Sequence, residues 1–520
     1  MSSRSRSGMV AAAACLLFFL MGQAFIPLLG VENDEALFGM AFFPPKYAVS
    51  IKVGHSTLPL MLMTYVGTLK AWLYRPFFKF VHPQVWSLRE PMVLAGVMSI
   101  ALFYLLLRRM SGERAAVIGT VLLATDAPYL LTTVFDWGPV ALQHLLFIGG
   151  ALCLVRFYQK RSNGSLAFGA FLFGLAMWDK ALATWLLSGL AIGGTLFLRR
   201  EVRSVITVKR VGIAAATFLL GSLPLWTYNV QNHWPTFGGN FHRDTNEMKG
   251  KLKVLGWTFD GQGLFGYLTD EDWQTPLPHT PPRLVTGLNV RQSAGLYLFL
   301  LALLAVPLAG RNGRRAILLA LVAMIVAWVQ MAITANAGGS VHHTILLWPL
   351  PYLIVAVSLS EASRRLGHTG IPLLATVVVA AAVSNLLVTA TYYNKMARNG
   401  GSQSWTDAIF PLNDLVRGLP ASTVYTMDWG ILDNLRLLSA GKIPLSPSDT
   451  RPEVIAAITS DPANVYVAHT REMQVFPDNP NFLKLAADAG YRPHTLAVIS
   501  DSFGRKVFDV YRLERTSEQP

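Results

Sequence analysis

Residues 9–35 read MVAAAACLLFFLMGQAFIPLLGVENDE, an uncharged run from Met9 to Val31 followed by three acids within four residues. A helix crossing the hydrocarbon of a bilayer needs about 20 mostly apolar residues, and this run supplies them. Arg4 and Arg6 precede it, as basic residues precede a secretory signal, but a signal's apolar region is typically about 7–15 residues long. The run therefore reads as an uncleaved span with a positive flank on one side and an acidic flank on the other. That polarity sets the side on which every later loop must lie.

Outward from this stretch the same pattern recurs. The 520 residues are 52% hydrophobic and 14% charged, against roughly 25% charged in a soluble globular protein. Eleven spans are expected, near 9–30, 91–107, 115–131, 138–155, 166–178, 181–198, 211–230, 293–310, 316–334, 344–360 and 370–390. The net charge of +14 would suit a nucleic-acid binder only if it formed one basic face. Instead it falls in short loops between apolar runs, so nucleic acid is not an expected partner. The two cysteines, Cys15 and Cys153, lie inside apolar segments and imply neither a disulfide framework nor a zinc site.

Lys and Arg accumulate in short cytoplasmic loops. One set of loops holds Arg4 and Arg6; Arg108, Arg109 and Arg114; Arg156, Lys160 and Arg161; Arg199, Arg200, Arg203, Lys209 and Arg210; Arg311, Arg314 and Arg315; and Arg364 and Arg365. The short loops on the other side hold only Lys180. The N-terminus is thus expected in the cytoplasm, in a multi-pass chain of the cell (inner) membrane. A further apolar stretch, 56–74, would reverse every later loop if it crossed, so it is expected to lie in the interface as an amphipathic helix with Lys70 snorkelling.

An odd number of crossings leaves the C-terminal part outside. There the hydropathy falls, with strands expected at 422–428, 463–469, 495–500 and 506–513 and helices at 405–418, 431–440, 452–460 and 481–490. The expected organisation is a membrane domain, 1–391, with outer interfacial loops 32–90 and 231–292, and a small extracytoplasmic α/β domain, 392–520.

The acids favour the outer side: Glu32, Asp34, Glu35, Asp126, Asp136, Asp179, Asp244, Glu247, Asp260, Asp270, Glu271 and Asp272, against Glu113, Glu201 and Glu361 in the cytoplasmic loops. Ionisable groups at membrane edges are costly and mark sites of use. Asn33-Asp34-Glu35 opens a short run ended by Pro44-Pro45. Its plain reading is that Asp34 caps a short interfacial helix and Glu35 favours its positive end. The functional reading is a carboxylate general base at headgroup level.

Asp136, in Phe135-Asp136-Trp137-Gly138-Pro139, is either the cap of the next helix or a second site carboxylate brought to the first by the bundle. Lys180 either pairs with Asp179 at the surface or holds an anionic headgroup. His342 and His343, beside Gly338-Gly339, and His55, beside the 56–74 stretch, are either interfacial anchors or substrate ligands. There is no P-loop, dinucleotide fingerprint, His-Glu-x-x-His motif or Gly-x-Ser-x-Gly elbow.

Taken in order, these residues resemble the GT-C class of polyprenyl-phosphate-dependent glycosyltransferases, the superfamily of protein O-mannosyltransferases and lipid A aminoarabinose transferases. Such enzymes show an Asp-Glu pair after the first span, similar to Asp34-Glu35, and a "PL" segment similar to His55 through Leu60. An Arg before the second span resembles Arg89, and its exit resembles Tyr104 through Arg108, Arg109 and Gly112. Pro128-Tyr129-Leu130 with Asp136, Gly174-Leu175-Ala176 with Lys180, and His343 with Pro349 and Pro351 match further motifs. The likeness covers roughly the first 200 residues well, the last five spans loosely and the C-terminal domain hardly at all. It departs at Ala36-Leu37-Phe38, where relatives often carry Tyr or Arg, and at Asp179, where an apolar residue usually precedes the lysine.

The resemblance implies a polytopic GT-C-like fold of about 11 transmembrane helices with an outer α/β domain. It also implies a polyprenyl-phosphate-linked sugar as donor and a protein, lipid or glycan hydroxyl as acceptor, with membrane lipid as surroundings. Asp34 would be the general base, with Glu35 and Asp136 the other catalytic candidates. His55, Arg89, Lys180, Arg243, His342 and His343 would bind substrate, Lys180 first among them at the leaving phosphate. A divalent cation, Mg or Mn, is an open cofactor, with Asp136 either helping to hold it or orienting the acceptor. Two other classes compete: a transporter or flippase of lipid-linked sugars, and a non-catalytic scaffold presenting the outer domain.

Overall fold

In a computed structural model, residues 3–44, 48–238, 242–269, 289–449 and 451–516 are described. Asp270, Glu271 and Asp272 lie outside them. Each of the eleven expected spans coincides with a helix or a bent pair of helices. Five are straight and long enough to cross: Ser5–Leu28, Val85–Ser111, Ala141–Lys160, Arg311–Ala332 and Gly367–Asn399. Three are bent pairs, Glu113–Thr125 with Ala127–Val134 (59°), Val208–Gly221 with Leu223–Gln231 (69°), and Val341–Leu347 with Leu350–Arg365 (42°). The rest fall on the shorter helices Asn163–Asp179, Ala183–Phe197 and Gly295–Leu304. The chain is a multi-pass helical membrane protein.

The first helix belongs to the bundle: Phe18 and Phe25 are buried, and the Phe18 ring lies 5.8 Å from that of Tyr129. At one end of the bundle the basic loops are stitched together. Arg109 donates to Gln159 (3.1 Å), Arg210 to Asn163 (3.2 Å) and Arg365 to the Leu308 carbonyl (2.7 Å). Arg315 pairs with Glu201 at 2.7 Å and Arg108 with Glu113 at 2.9 Å.

The acidic end departs from expectation at 56–74. An antiparallel hairpin, β1 (Val49–Val53) and β2 (Ser56–Met61), occupies its first part, and a helix begins only at Leu69, running to Phe77. The two-residue turn is Gly54-His55, and Gly54 adopts φ +57°, a left-handed conformation that glycine reaches without strain. His55 sits exposed at the tip. Lys70 does not snorkel; it is 2% exposed and paired with Asp136. The physical reason is charge: a buried carboxylate offers the ammonium a closer partner than the headgroup layer does.

After the last span, which runs to Asn399, the chain forms a mixed five-stranded sheet. Its strands are β3 (Val424–Thr426), β4 (Leu445–Pro447), β5 (Val465–His469), β6 (Tyr491–Ser500) and β7 (Lys506–Arg515), in the order β4-β3-β5-β7-β6. The β3 pairings are parallel and the β7 pairings antiparallel. Helices Ile409–Gly418, Leu432–Leu438, Pro452–Thr459 and Asp478–Asp488 accompany it. The short strand β4 is the element that the sequence reading lacked.

This α/β domain docks on the acidic end of the bundle. Gly30 donates its N–H to the Trp405 carbonyl (2.9 Å), and a Cβ at Gly30 would stand 1.8 Å from the Thr406 carbonyl oxygen, so only glycine permits this approach. Arg436 donates to the Phe43 carbonyl at 2.7 and 3.1 Å. Trp405 is buried between them and packs edge-on against Phe135 (5.3 Å) and Trp137 (5.6 Å).

Candidate active site at the acidic end

A cavity of about 780 Å³ opens at this end, lined by Glu32, Asp34, Trp137, Trp257, Gln262, Tyr267, Arg291, His342 and Trp429 among others. Contributions come from the stretch after the first span, the loop between spans at 135–140, the 231–292 loop, the bent helix at 341 and the α/β domain. A cavity of this size with an apolar and aromatic wall and a few charged groups suits a ligand of several rings or a headgroup with part of its tail.

The acids after the first span divide into three roles. Glu32, not Asp34, caps the helix Asn33–Gly39: its Oε2 accepts from the backbone N–H of Asp34 (2.8 Å) and of Glu35 (3.1 Å). Its other oxygen accepts from the Tyr267 hydroxyl at 3.2 Å. Glu35 is 1% exposed and forms a two-bond pair with Arg89, Nε to Oε1 at 2.7 Å and Nη2 to Oε2 at 2.8 Å. Asp34 alone presents its carboxylate to the cavity without a capping task; its nearest donor is the Asn33 amide at 3.3 Å.

Burial pushes the Asp34 carboxyl above its usual range, opposed by the Asn33 hydrogen bond and the Lys180 charge. Glu32 is pushed up further, by burial first and then by the Asp34 charge. Two neighbouring, largely buried carboxylates disfavour double ionisation, which raises their affinity for a proton.

Arg89, expected to bind substrate, is fully used elsewhere. A guanidinium has five N–H donors, and all five are placed: two on Glu35, the others on the carbonyls of Ile26 (2.7 Å), Leu29 (3.0 Å) and Gly30 (2.6 Å). Its plane lies over Phe135 at 4.7 Å. It is a clamp on the chain that delivers Asp34, and it offers no donor to a phosphate.

Asp136 is likewise committed. Its Oδ1 accepts from the N–H groups of Val140 (2.7 Å) and Ala141 (3.1 Å), the capping role, and its Oδ2 from Lys70 at 2.9 Å. Lys70 also reaches the Asp136 carbonyl at 3.0 Å. The loop around Asp136 holds no base, and its partner comes instead from the helix Leu69–Phe77. With both oxygens engaged, Asp136 does not suit a metal, and among the described residues no three His, Cys, Asp or Glu side chains converge as a ligand set.

Lys180 lies buried in the turn between the helices Asn163–Asp179 and Ala183–Phe197, its Nζ on the Gly138 carbonyl at 2.7 Å. Burial lowers its pKa to about 8 against the pull of Asp179, Asp136 and Asp34. That turn is fastened to the hairpin segment: Gly67 donates to the Asp179 carbonyl (3.1 Å) and Ala181 to the Tyr65 carbonyl (2.9 Å).

His342 reaches the cavity wall. Its Nδ1 faces the Trp137 indole N–H at 3.1 Å and the Ser340 hydroxyl at 2.8 Å. An indole can only donate, so Nδ1 is an acceptor and a neutral ring carries its proton on Nε2. The His343 ring is tilted by 50° to that of His342 with centroids 4.1 Å apart, and its buried Nδ1 has no hydrogen-bond partner among the described residues. Arg243 is exposed and pairs through its backbone with Thr334; neither it nor His55 lies on the cavity wall.

Among the wall residues that the sequence reading did not make site candidates are Glu32, Tyr267, Arg291 and Trp429. Glu32 is adjacent to the acidic motif, but capping preferences rank Asn and Asp above Glu. Tyr267, Arg291 and Trp429 sit in segments without usable periodicity and meet the site only through tertiary packing.

Residues 66–228 match the sequence model of the family described as dolichyl-phosphate-mannose-protein mannosyltransferase. No curated protein sequence matches the chain. Among solved structures, it is similar to ArnT from Cupriavidus metallidurans in the apo state, with 14% identity and a TM-score of 0.59 over 98% of both chains. The same protein bound to undecaprenyl phosphate gives 12% and 0.57, again over 98% of both. The oligosaccharyltransferase of Archaeoglobus fulgidus in its apo form is 11% identical with a TM-score of 0.51, over 95% of this chain and 74% of that one. At such identities the likeness is one of fold.

Proposed function

Because the chain has the GT-C fold that it shares with ArnT and the archaeal oligosaccharyltransferase, we propose that it is an integral membrane glycosyltransferase. It moves a sugar from a polyprenyl-phosphate donor to an acceptor hydroxyl on the extracytoplasmic face. One observation carries this reading: Asp34 stands in the wall of a 780 Å³ cavity while Glu32 caps its helix and Arg89 neutralises Glu35. A solved ArnT structure with undecaprenyl phosphate bound supports the donor class. The charge rule supports the face, since the basic short loops, which such chains keep in the cytoplasm, are stitched together away from the cavity.

In the reaction, the acceptor oxygen attacks the anomeric carbon as its proton passes to the Asp34 carboxylate. The bond from that carbon to the phosphate oxygen breaks, and polyprenyl phosphate leaves with its charge increased. A single displacement inverts the sugar carbon and needs no glycosyl-enzyme intermediate. General-base assistance of this kind contributes roughly 100- to 10,000-fold. Arg291 and His342 in the wall, with Lys180 behind them, meet the developing phosphate charge, and one well-aimed donor is worth about 3 kcal/mol. Glu35, Arg89, Lys70 and Asp136 are positioning residues, and no step is routed through a divalent cation.

The test is transfer by purified protein in nanodiscs from radiolabelled polyprenyl-phosphate sugars. Asp34→Asn should abolish turnover while donor binding and thermal unfolding stay near wild type. Undiminished transfer by that variant removes the general base. A transporter would still move donor across proteoliposomes without transferring sugar, and a scaffold would be indifferent to the change.

A further inference from the structure

Trp429 stands in the wall of a second, smaller pocket as well as in that of the 780 Å³ cavity. Every residue lining the smaller pocket falls between Gln403 and Phe508, after the last span has ended at Asn399, so the outer part of the chain builds it alone. The segment that carries Trp429 is held by one buried carboxylate. Asp428 Oδ1 accepts from the backbone N–H groups of Trp429 (2.8 Å) and Phe476 (3.0 Å). Its Oδ2 accepts from the Val475 N–H (2.8 Å) and from His469 Nδ1 (2.9 Å). Both oxygens are engaged, and a neutral His469 with its proton on Nδ1 keeps Nε2 as an acceptor.

Two polar atoms of this wall have no hydrogen-bond partner among the described residues. Asn434 is 3% exposed, and its amide nitrogen donates to the Gly430 carbonyl at 2.8 Å. That bond fixes which way the amide points and leaves its buried Oδ1 unpartnered. Gln403 Nε2 is buried and unpartnered too. Burial of such groups opposes folding unless something serves them, and here an acceptor and a donor line one pocket.

We propose that this pocket is an acceptor subsite that takes one hydroxyl of a sugar ring resting on Trp429, so that the acceptor of transfer is a glycan. The inference rests on the glycosyltransferase reading of the main cavity and names its second substrate. A hydroxyl donates to Asn434 Oδ1 and accepts from Gln403 Nε2 through a single oxygen, and the pocket has room for about one water-sized group. An amide needs two heavy atoms for the same pair of bonds. A phosphate or carboxylate brings no proton for Oδ1 and meets no Lys or Arg among the lining residues. Trp429, 37% exposed, gives the apolar face of a ring a flat surface. The hydroxyl is assigned to the acceptor because the donor's lipid is anchored in the bilayer, whereas the pocket lies wholly in the outer part of the chain.

The test is saturation-transfer NMR on the full-length protein in nanodiscs, with methyl glucoside, methyl mannoside, methyl galactoside and methyl N-acetylglucosaminide as probes. At least one should bind, and Asn434→Leu and Gln403→Met should each weaken it by about tenfold, the effect of one lost hydrogen bond to a buried group. Gln403→Met removes an unpartnered amide, so it should unfold at or above the wild-type temperature, which loss of a merely structural amide would not allow. Binding of none of the four, or equal binding by wild type and Gln403→Met, overturns the proposal. So does binding of an acetylated serine/threonine peptide in place of every glycoside. If Asn434→Leu fails to fold, Gln403→Met decides. In a second arm, a radiolabelled polyprenyl-phosphate sugar is bound to Gln403→Met: an affinity near wild type supports the assignment, and a loss of about tenfold gives the hydroxyl to the donor and overturns it. Glycoside binding needs no turnover, so it is read independently of what Asp34→Asn does to transfer.

Discussion

Asp34 is available for chemistry because Glu32 and Arg89 relieve it of structural work. Removing Arg89 exposes that division of labour. The Arg89→Ala chain would leave the Glu35 charge buried and three carbonyls without donors, a loss of about 3–5 kcal/mol for breaking a buried pair. It should unfold well below the wild-type temperature in nanodiscs. Arg89→Met with Glu35→Met, which removes both charges, should recover part of the deficit; a double variant no better than Arg89→Ala would mean that the carbonyl contacts dominate.

As the proposed base, Asp34 also carries a pH dependence. Burial raises its folded pKa above the ordinary value of about 3.9. The base works deprotonated, so kcat should rise with pH through a limb above that value and fall as pH drops through it. A limb lying at or below 4 would assign the base to another group. Asp34 was legible in the sequence because three acids follow a span, which lipid tolerates only for a reason. Glu35 and Asp136 were equally visible as acids, but their partners, Arg89 and Lys70, lie 54 and 66 residues away, and no local pattern records such a pairing.

At the scale of elements, the spans were readable because a bilayer imposes a length, and every expected span falls on helix. The 56–74 stretch was misread for the opposite reason: a short apolar run carries no period that separates strand from helix, and the Gly54-His55 turn was the one available cue. Bends were not readable either. At Asp126, counted among the outer-loop acids, the chain breaks by 59°. The residue is buried there, with Oδ1 accepting from the Tyr129 N–H (2.7 Å) and Oδ2 from the Tyr352 hydroxyl (2.6 Å). Asp126→Ala should cost about 1 kcal/mol for the lost cap and about 1–3 kcal/mol for the orphaned hydroxyl, read as a lower unfolding temperature. Asp126→Asn should recover most of it, since the amide oxygen still caps and the Tyr352 hydroxyl can turn to accept. Equal losses in both variants would show that the carboxylate charge, not the hydrogen bonds, holds the bend.

The whole molecule has two chemically distinct ends, and the proposed reaction depends on which one faces the cytoplasm. The basic end fastens Arg109, Arg210, Arg315 and Arg365 onto Gln159, Asn163, Glu201 and the Leu308 carbonyl of neighbouring segments, whereas the acidic end holds the cavity, the hairpin and the α/β domain. On the proposed function, the lipid-linked donor reaches Asp34 from the leaflet at the acidic end, where the cavity opens. A labelling map tests the arrangement directly. In a chain with Cys15→Ala and Cys153→Ala, single cysteines go at three exposed positions: Ser56 in the hairpin, Ser502 in the outer domain and Ser204 in a basic loop. A membrane-impermeant maleimide applied to intact cells, with the outer membrane opened where there is one, should label Ser56→Cys and Ser502→Cys and leave Ser204→Cys unmodified until the cells are lysed. Labelling of Ser204→Cys alone would turn the molecule over and put the base on the wrong side for an external acceptor. Labelling of Ser502→Cys without Ser56→Cys would put the hairpin and the α/β domain on opposite sides, against the Arg436–Phe43 and Gly30–Trp405 bonds that tie the α/β domain to the segment leading into the hairpin.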